Sequence, residues 1–173
     1  MPVEAQVAEN YTPNTFEHRS IDSEIRAAQI HAVYQHMPMA LANHVANSAL
    51  VALVLAAYMG QSRWWVFFAA VVCLSGIRAL GWGWYRRGPK PATTTWATFA
   101  AVGSGLSGLL WGAASTLLLS ENIVERTFMA FVVGGMCVCA LVSLSYYLPA
   151  LIAFVFLAGL PLATSFLLDG ETV

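Results

Sequence analysis

Between Met39 and Leu168 the chain alternates long apolar runs with short polar interruptions, and each run is about as long as one helical crossing of a bilayer, ~20 residues. The interruptions are Gly60-Gln61-Ser62-Arg63, Arg86-Arg87-Gly88-Pro89-Lys90-Pro91, Glu121 to Glu125, and Tyr147-Leu148-Pro149. The pattern predicts an all-α integral membrane protein, a bundle of about five transmembrane helices, with a bundle region over 23–168. The expected helices cover 24–59, 64–85, 96–119, 126–146 and 149–168. Asp22 or Ser23 can cap the first of them. Its opening stretch, Glu24 to His36, is amphipathic and predicts an N-terminal helical extension at the interface or in the cytoplasm. Pro38 predicts a kink or break where that extension meets the first crossing. Residues 1–22 read as a flexible cytoplasmic tail and 169–173 as a polar end.

Composition agrees: 10% of residues are charged, against about 25% in soluble domains. A net charge of −1 offers no electrostatic footprint for nucleic acid. Met1 to Ser20 is polar and acidic, without the basic and apolar regions of a signal peptide. Trp64 and Trp65 at one end of the second run, and Trp82, Trp84 and Tyr85 at the other, fit the aromatic belts of a membrane interface. Arg19, Arg26, Arg86, Arg87 and Lys90 would share one side and Arg63 and Arg126 the other, which predicts a cytoplasmic N-terminus. Five crossings then carry Val173 outside, so a following cytoplasmic domain requires a sixth crossing, expected beyond this chain.

Polar side chains in membrane helices usually face the bundle interior. On the first helix, Gln29, His36, Asn43 and Asn47 fall within about 40° of one another, flanked by Arg26 and His44. This stripe predicts either a polar seam between helices or a signal-binding pocket. Haem or copper ligation by His31, His36 or His44 matches no compact ligand motif, and the sequence assigns no cofactor and no metal site. Arg78 sits two turns before Arg86 with no carboxylate at similar depth. The expectation is that it snorkels to lipid phosphate, the alternative that it meets the polar stripe. Ser104, Gly108 and Gly112 form a small-residue face, and Gly134 and Gly135 add to it on the fourth helix. That face predicts close packing within the chain, with dimerisation as the alternative. Cys73, Cys137 and Cys139 lie in apolar runs and read as small core or lipid-facing residues.

Several activities are excluded. The only lysine is Lys90, in a loop, so the crossings offer no amine for a retinal Schiff base. The expected crossings carry no carboxylate for proton pumping. No phosphate-binding glycine loop or catalytic triad pattern is present, and no residue is assigned a catalytic role. A transporter or channel subunit remains open as a second class, although no inverted repeat is evident.

Arg26-x-x-Gln29-Ile30, then Tyr34, Pro38 and Asn43, resembles the opening of a multi-helix membrane module found in bacterial signalling proteins. Gly108-Leu109-Leu110-Trp111-Gly112, Gly134-Gly135-Met136, Pro149-Ala150-Leu151-Ile152-Ala153-Phe154 and Leu160-Pro161-Leu162 follow in the same order as in that module. It precedes GGDEF diguanylate cyclase domains, sometimes with an EAL phosphodiesterase domain, and also histidine kinases. The resemblance covers Glu24 to Leu168 and implies a sensory or anchoring input domain in the bacterial inner membrane. It further implies a homodimer that signals through helix packing to a C-terminal cytoplasmic output domain absent from this chain. The GGDEF residues themselves have no counterpart here.

Overall fold

A computed structural model describes residues 15–60, 62–88, 93–118 and 122–170. Five helices account for nearly all of them: α1 Thr15–Met59, α2 Arg63–Arg87, α3 Thr93–Leu117, α4 Ile123–Leu144 and α5 Leu148–Gly170. Each contains a stretch long and apolar enough to cross a membrane, and no strand occurs among the described residues. Large apolar side chains point outward along the bundle; Phe131, Leu117 and Leu80 are each at least 75% exposed.

The boundaries differ from expectation in three places. First, α1 begins at Thr15, not near Glu24, so 15–22 is helical; the rest of the expected tail, and the end at 171–173, lie outside the described residues. Second, α4 begins at Ile123, with the Asn122 side chain accepting a hydrogen bond from the Val124 amide at 2.9 Å. That cap draws Glu125 out of the expected loop into the first helical turn, where a carboxylate is favoured by the helix dipole. Glu125 is 2% exposed, so one helix does carry a buried carboxylate, at its end. Third, the last turn is Ser145–Tyr147, one or two residues before its expected place, closed by the Tyr147 amide on the Leu144 carbonyl. Lys90, Leu119 and Glu121 lie outside the described residues.

Pro38 does not break α1, which is continuous through it. Proline has no amide hydrogen, so the carbonyl four residues earlier, on Tyr34, loses its helical donor. The Trp82 indole Nε1 of α2 donates to that carbonyl at 3.0 Å. The proline thus creates an acceptor inside the bundle, and α2 fills it. Around this bond Tyr34 stacks on Tyr85 at 4.1 Å and meets Trp96 edge-on, while its hydroxyl donates to the Trp96 carbonyl. One end of α1 is fastened to α2 and α3 in this way.

Helix α3 is the centre: it touches all four others, and its pairing with α5 is the most extensive in the molecule. Neighbouring helices close a ring in the order α1, α2, α3, α5, α4, and α3 also reaches across it to α1 and α4. Small residues set the α3–α5 spacing. A Cβ on Gly108 would lie 2.5 Å from the Phe154 carbonyl oxygen, and one on Gly112 would collide with the Leu157 carbonyl. Leu157 precedes Pro161 by four residues, so its carbonyl too lacks a helical donor and faces the Gly112 backbone instead. Gly108 and Gly112 thus let α3 and α5 approach closely within the chain. Gly134 and Gly135 differ: they are exposed, a Cβ added to either would meet nothing within 4 Å, and they contribute nothing to helix packing in the chain.

Two outcomes follow. Trp82→Phe leaves the Tyr34 carbonyl buried without a donor and should cost about 1–3 kcal/mol. In a Pro38→Ala background, where the amide of residue 38 can reach that carbonyl, the cost should shrink by about 1 kcal/mol or more, as read in a double-mutant cycle of denaturation midpoints. Gly112→Val should lower the midpoint by roughly 1–3 kcal/mol while Gly134→Val leaves it unchanged within about 0.5 kcal/mol.

Candidate functional site

The buried line of α1 is Ile30, Val33, Tyr34, Met37, Leu41, His44, Ser48, Val51 and Leu55, a three-and-four spacing that winds with the helix. Its centre is turned by about 100° from the polar stripe expected from sequence. Only His44 lies on it. Arg26 and Gln29 are exposed, and His36, Asn43 and Asn47 sit at its border, half-buried. The stripe is therefore not one seam, and its members do different work. His36 lies parallel to the Tyr146 ring at 5.6 Å, holding α1 against the turn between α4 and α5. Asn47 Nδ2 donates to the Asn43 side chain at 2.8 Å and to the Asn43 carbonyl. Asn43 Nδ2 in turn donates to the Met136 sulfur at 3.5 Å, a weak acceptor on α4.

Arg78 corrects the snorkelling expectation. Its side chain points into the bundle, and the residue is 4% exposed. Nη1 donates to the Ser107 hydroxyl at 2.9 Å, and Nη2 reaches the Ser104 hydroxyl at 3.5 Å, the limit for such a bond. Gly103 makes this possible, because a Cβ there would sit 3.1 Å from Arg78 Nε. Nε itself is buried without a hydrogen-bond partner among the described residues. A guanidinium keeps its charge and presents five N–H groups, and two of them find a hydroxyl among the described residues. Among those residues the nearest carboxylate along any helix framing the site is Glu125, eleven residues before Met136 and so about 16 Å of helix rise away.

His44 completes the buried polar group. It is 8% exposed, and its Nδ1 accepts from Trp111 Nε1 at 3.3 Å. That acceptor role leaves the ring proton on Nε2. Phe154 meets the ring edge-on from α5 at 5.6 Å.

These groups border one cavity of about 240 Å³, and all five helices contribute to its wall. Its polar wall is Asn43, His44, Arg78, Ser104 and Ser143; its apolar wall includes Met136, Ala140, Leu144 and Phe154. Met39, Val138 and Val142 form part of the lining and are also exposed, so the cavity opens sideways between α1 and α4. Ser107, Trp111, Met136, Ser143 and Phe154 were not singled out as site residues by sequence. Ser107 lies one turn after Gly103, where it back-bonds to the Gly103 carbonyl, and this pairing of a small residue with a hydroxyl on one face was the signal that could have found it. The three cysteines remain free thiols, Cys73 and Cys139 exposed and Cys137 half-buried. No group of three or more His, Cys, Asp or Glu side chains placed to hold a metal exists among the described residues.

No protein-family model, curated protein or solved structure matches the chain.

Trp111→Phe keeps the ring contact with Phe67 and removes the donor to His44. It should cost about 1 kcal/mol of stability. The His44 ring should also lose its fixed tautomer, a change read directly from its nitrogen chemical shifts; an unchanged Nδ1 shift would argue against the bond.

Proposed function

We propose that the chain is the membrane-embedded input module of a bacterial signalling protein, set in the inner membrane with its N-terminus in the cytoplasm. The observation that carries this reading is the cavity: it is walled by all five helices, holds a buried cation and opens between α1 and α4, where Met39, Val138 and Val142 are exposed. Such a site suits recognition of a signal. The apolar outer surface of every helix supports placement in a bilayer, since a soluble monomer rarely exposes apolar patches beyond a few hundred Å².

Helix α1 is the element that would convey the signal. Its 45 residues span about 67 Å, more than twice the ~30 Å of a hydrocarbon core. It borders the cavity through Asn43 and His44, and residues 21–29 nearer its N-terminus are all exposed. A ligand that binds one packing of α1 against α4 more tightly shifts the population of that packing. The contacts that differ would be Asn43 with Met136 and His36 with Tyr146. In this reading the output is a cytoplasmic domain C-terminal to Val173, a GGDEF diguanylate cyclase by the resemblance of the chain, reached through a sixth crossing. It would act as a homodimer. The order of the quoted motifs from Arg26 to Leu162 supports that output, and an input role for a histidine kinase rests on the same motifs.

The intact mass of the protein extracted from its native membrane tests the reading. A mass well above the 18.7 kDa of this chain, with a cyclase, phosphodiesterase or kinase sequence in the excess, is the expected result. A mass of 18.7 kDa, or an excess of any other kind, overturns it.

A further inference from the structure

We propose that the α1–α5 cavity binds an amphipathic monoanion, an apolar-tailed carboxylate of the fatty-acid class, with Arg78 as its counter-charge. The inference rests on the reading of the five helices as bilayer crossings and is independent of which output domain follows.

The polar end of the cavity is rich in donors and short of negative charge. Arg78 contributes a cation with three N–H groups left over, and His44 directs its remaining N–H, on Nε2, away from Trp111. The Asn43 Oδ1 accepts from Asn47, while its Nδ2 donates only to a thioether sulfur. A buried cation without a counter-ion is costly wherever water is excluded. Among the described residues no carboxylate on the framing helices comes within about 16 Å of helix rise. An anion from outside the chain would supply what the bundle lacks. A single carboxylate matches a single guanidinium in charge and fork geometry. A phosphate monoester would bring a second charge that this wall has no second cation to meet.

The remainder of the wall sets the tail. Met136, Ala140, Leu144 and Phe154 are apolar, and 240 Å³ is far above the ~10–15 Å³ that admits one water. The cavity takes in the head group and the first carbons, and the rest of the chain leaves between α1 and α4 past Met39, Val138 and Val142. The sideways opening lies toward the end of the bundle that carries Arg86 and Arg87, since Val142 is two residues from the end of α4. Arg78 is nine residues from Arg87, about 13 Å of rise, and the wall extends to Ser143 and Leu144 in the last turn of α4. A carboxylate lying at that interface has a short path to the guanidinium.

Equilibrium binding of isotope-labelled decanoate and of its methyl ester, to the protein in phosphatidylcholine nanodiscs with empty discs subtracted, tests the proposal. The pH is held well above the range in which the acid protonates. Decanoate should bind saturably, with the ester and the Arg78→Gln variant each weaker by roughly tenfold or more. Arg78→Lys keeps the charge without the fork and should bind decanoate more weakly than the unaltered protein and more tightly than Arg78→Gln. Equal binding of acid and ester overturns charge recognition even if Arg78→Gln fails to fold. Absence of decanoate binding by protein retained in the discs overturns the ligand while leaving the signalling reading intact. Failure of the chain to be retained in discs removes the bilayer reading and this proposal with it.

Discussion

The structure depends on α3 being thin on two sides. Toward α5 its backbone is bare at Gly108 and Gly112, and the two helices close until their main chains touch. Toward α2 it is bare at Gly103, and the space left there takes the Arg78 guanidinium. Between apolar helices in a lipid-like solvent there is no hydrophobic drive to associate, so close van der Waals approach and polar contacts must supply the attraction. On α3 small residues provide both, Gly108 and Gly112 the close approach and Gly103 the room for a polar contact. The direction differs: one face forms a tight backbone seam, the other a polar recess. A bundle packed through large side chains on both faces would have neither the central position of α3 nor room for a buried cation.

Proline has a comparable double effect. Pro38 and Pro161 each free a carbonyl one turn back, and both carbonyls face a neighbouring helix. The Tyr34 carbonyl is bonded by Trp82, and the Leu157 carbonyl is pressed against Gly112. Where no water is at hand, a freed backbone acceptor must find a neighbour within the bundle. Both prolines therefore bind helices to one another, α1 to α2 and α3 to α5, where from sequence Pro38 reads as an interruption.

This difference explains what could be read from the residues alone. The five helices follow from the lengths of the apolar runs, because run length is a property of local sequence measured against a bilayer. The seam at Gly108 and Gly112 is also legible, since four-residue spacing places small residues on one face. The orientation of α1 is not. Its polar residues mark one stripe, yet its apolar residues at Ile30, Val33, Met37 and Leu41 form another, and in a chain apolar on nearly every side neither pattern declares which faces the core. Gly134 and Gly135 carry the same ambiguity: a small residue permits close approach but does not summon a partner. Arg78 was misjudged because its depth was legible and its direction was not. The recess that turns it inward is built by Gly103, Ser104 and Ser107, on another helix.

The position of Arg78 also separates two ways a membrane protein can use a charge. A cation that snorkels anchors a helix and is satisfied by the lipid surface. A cation turned inward onto two neutral hydroxyls is held in place with no carboxylate bonded to it among the described residues. If stability alone governed this site, an apolar residue of similar volume would serve better, since replacing a buried charge by well-packed apolar groups is often neutral or stabilising. The arrangement makes physical sense when the missing charge arrives from outside and the bundle reports its arrival. In the proposed reading the helix that would report is α1, which meets the cavity through His44 and Asn43 and touches α4 there through a weak thioether contact. A bound anion would act by favouring one packing of α1 against α4 over another.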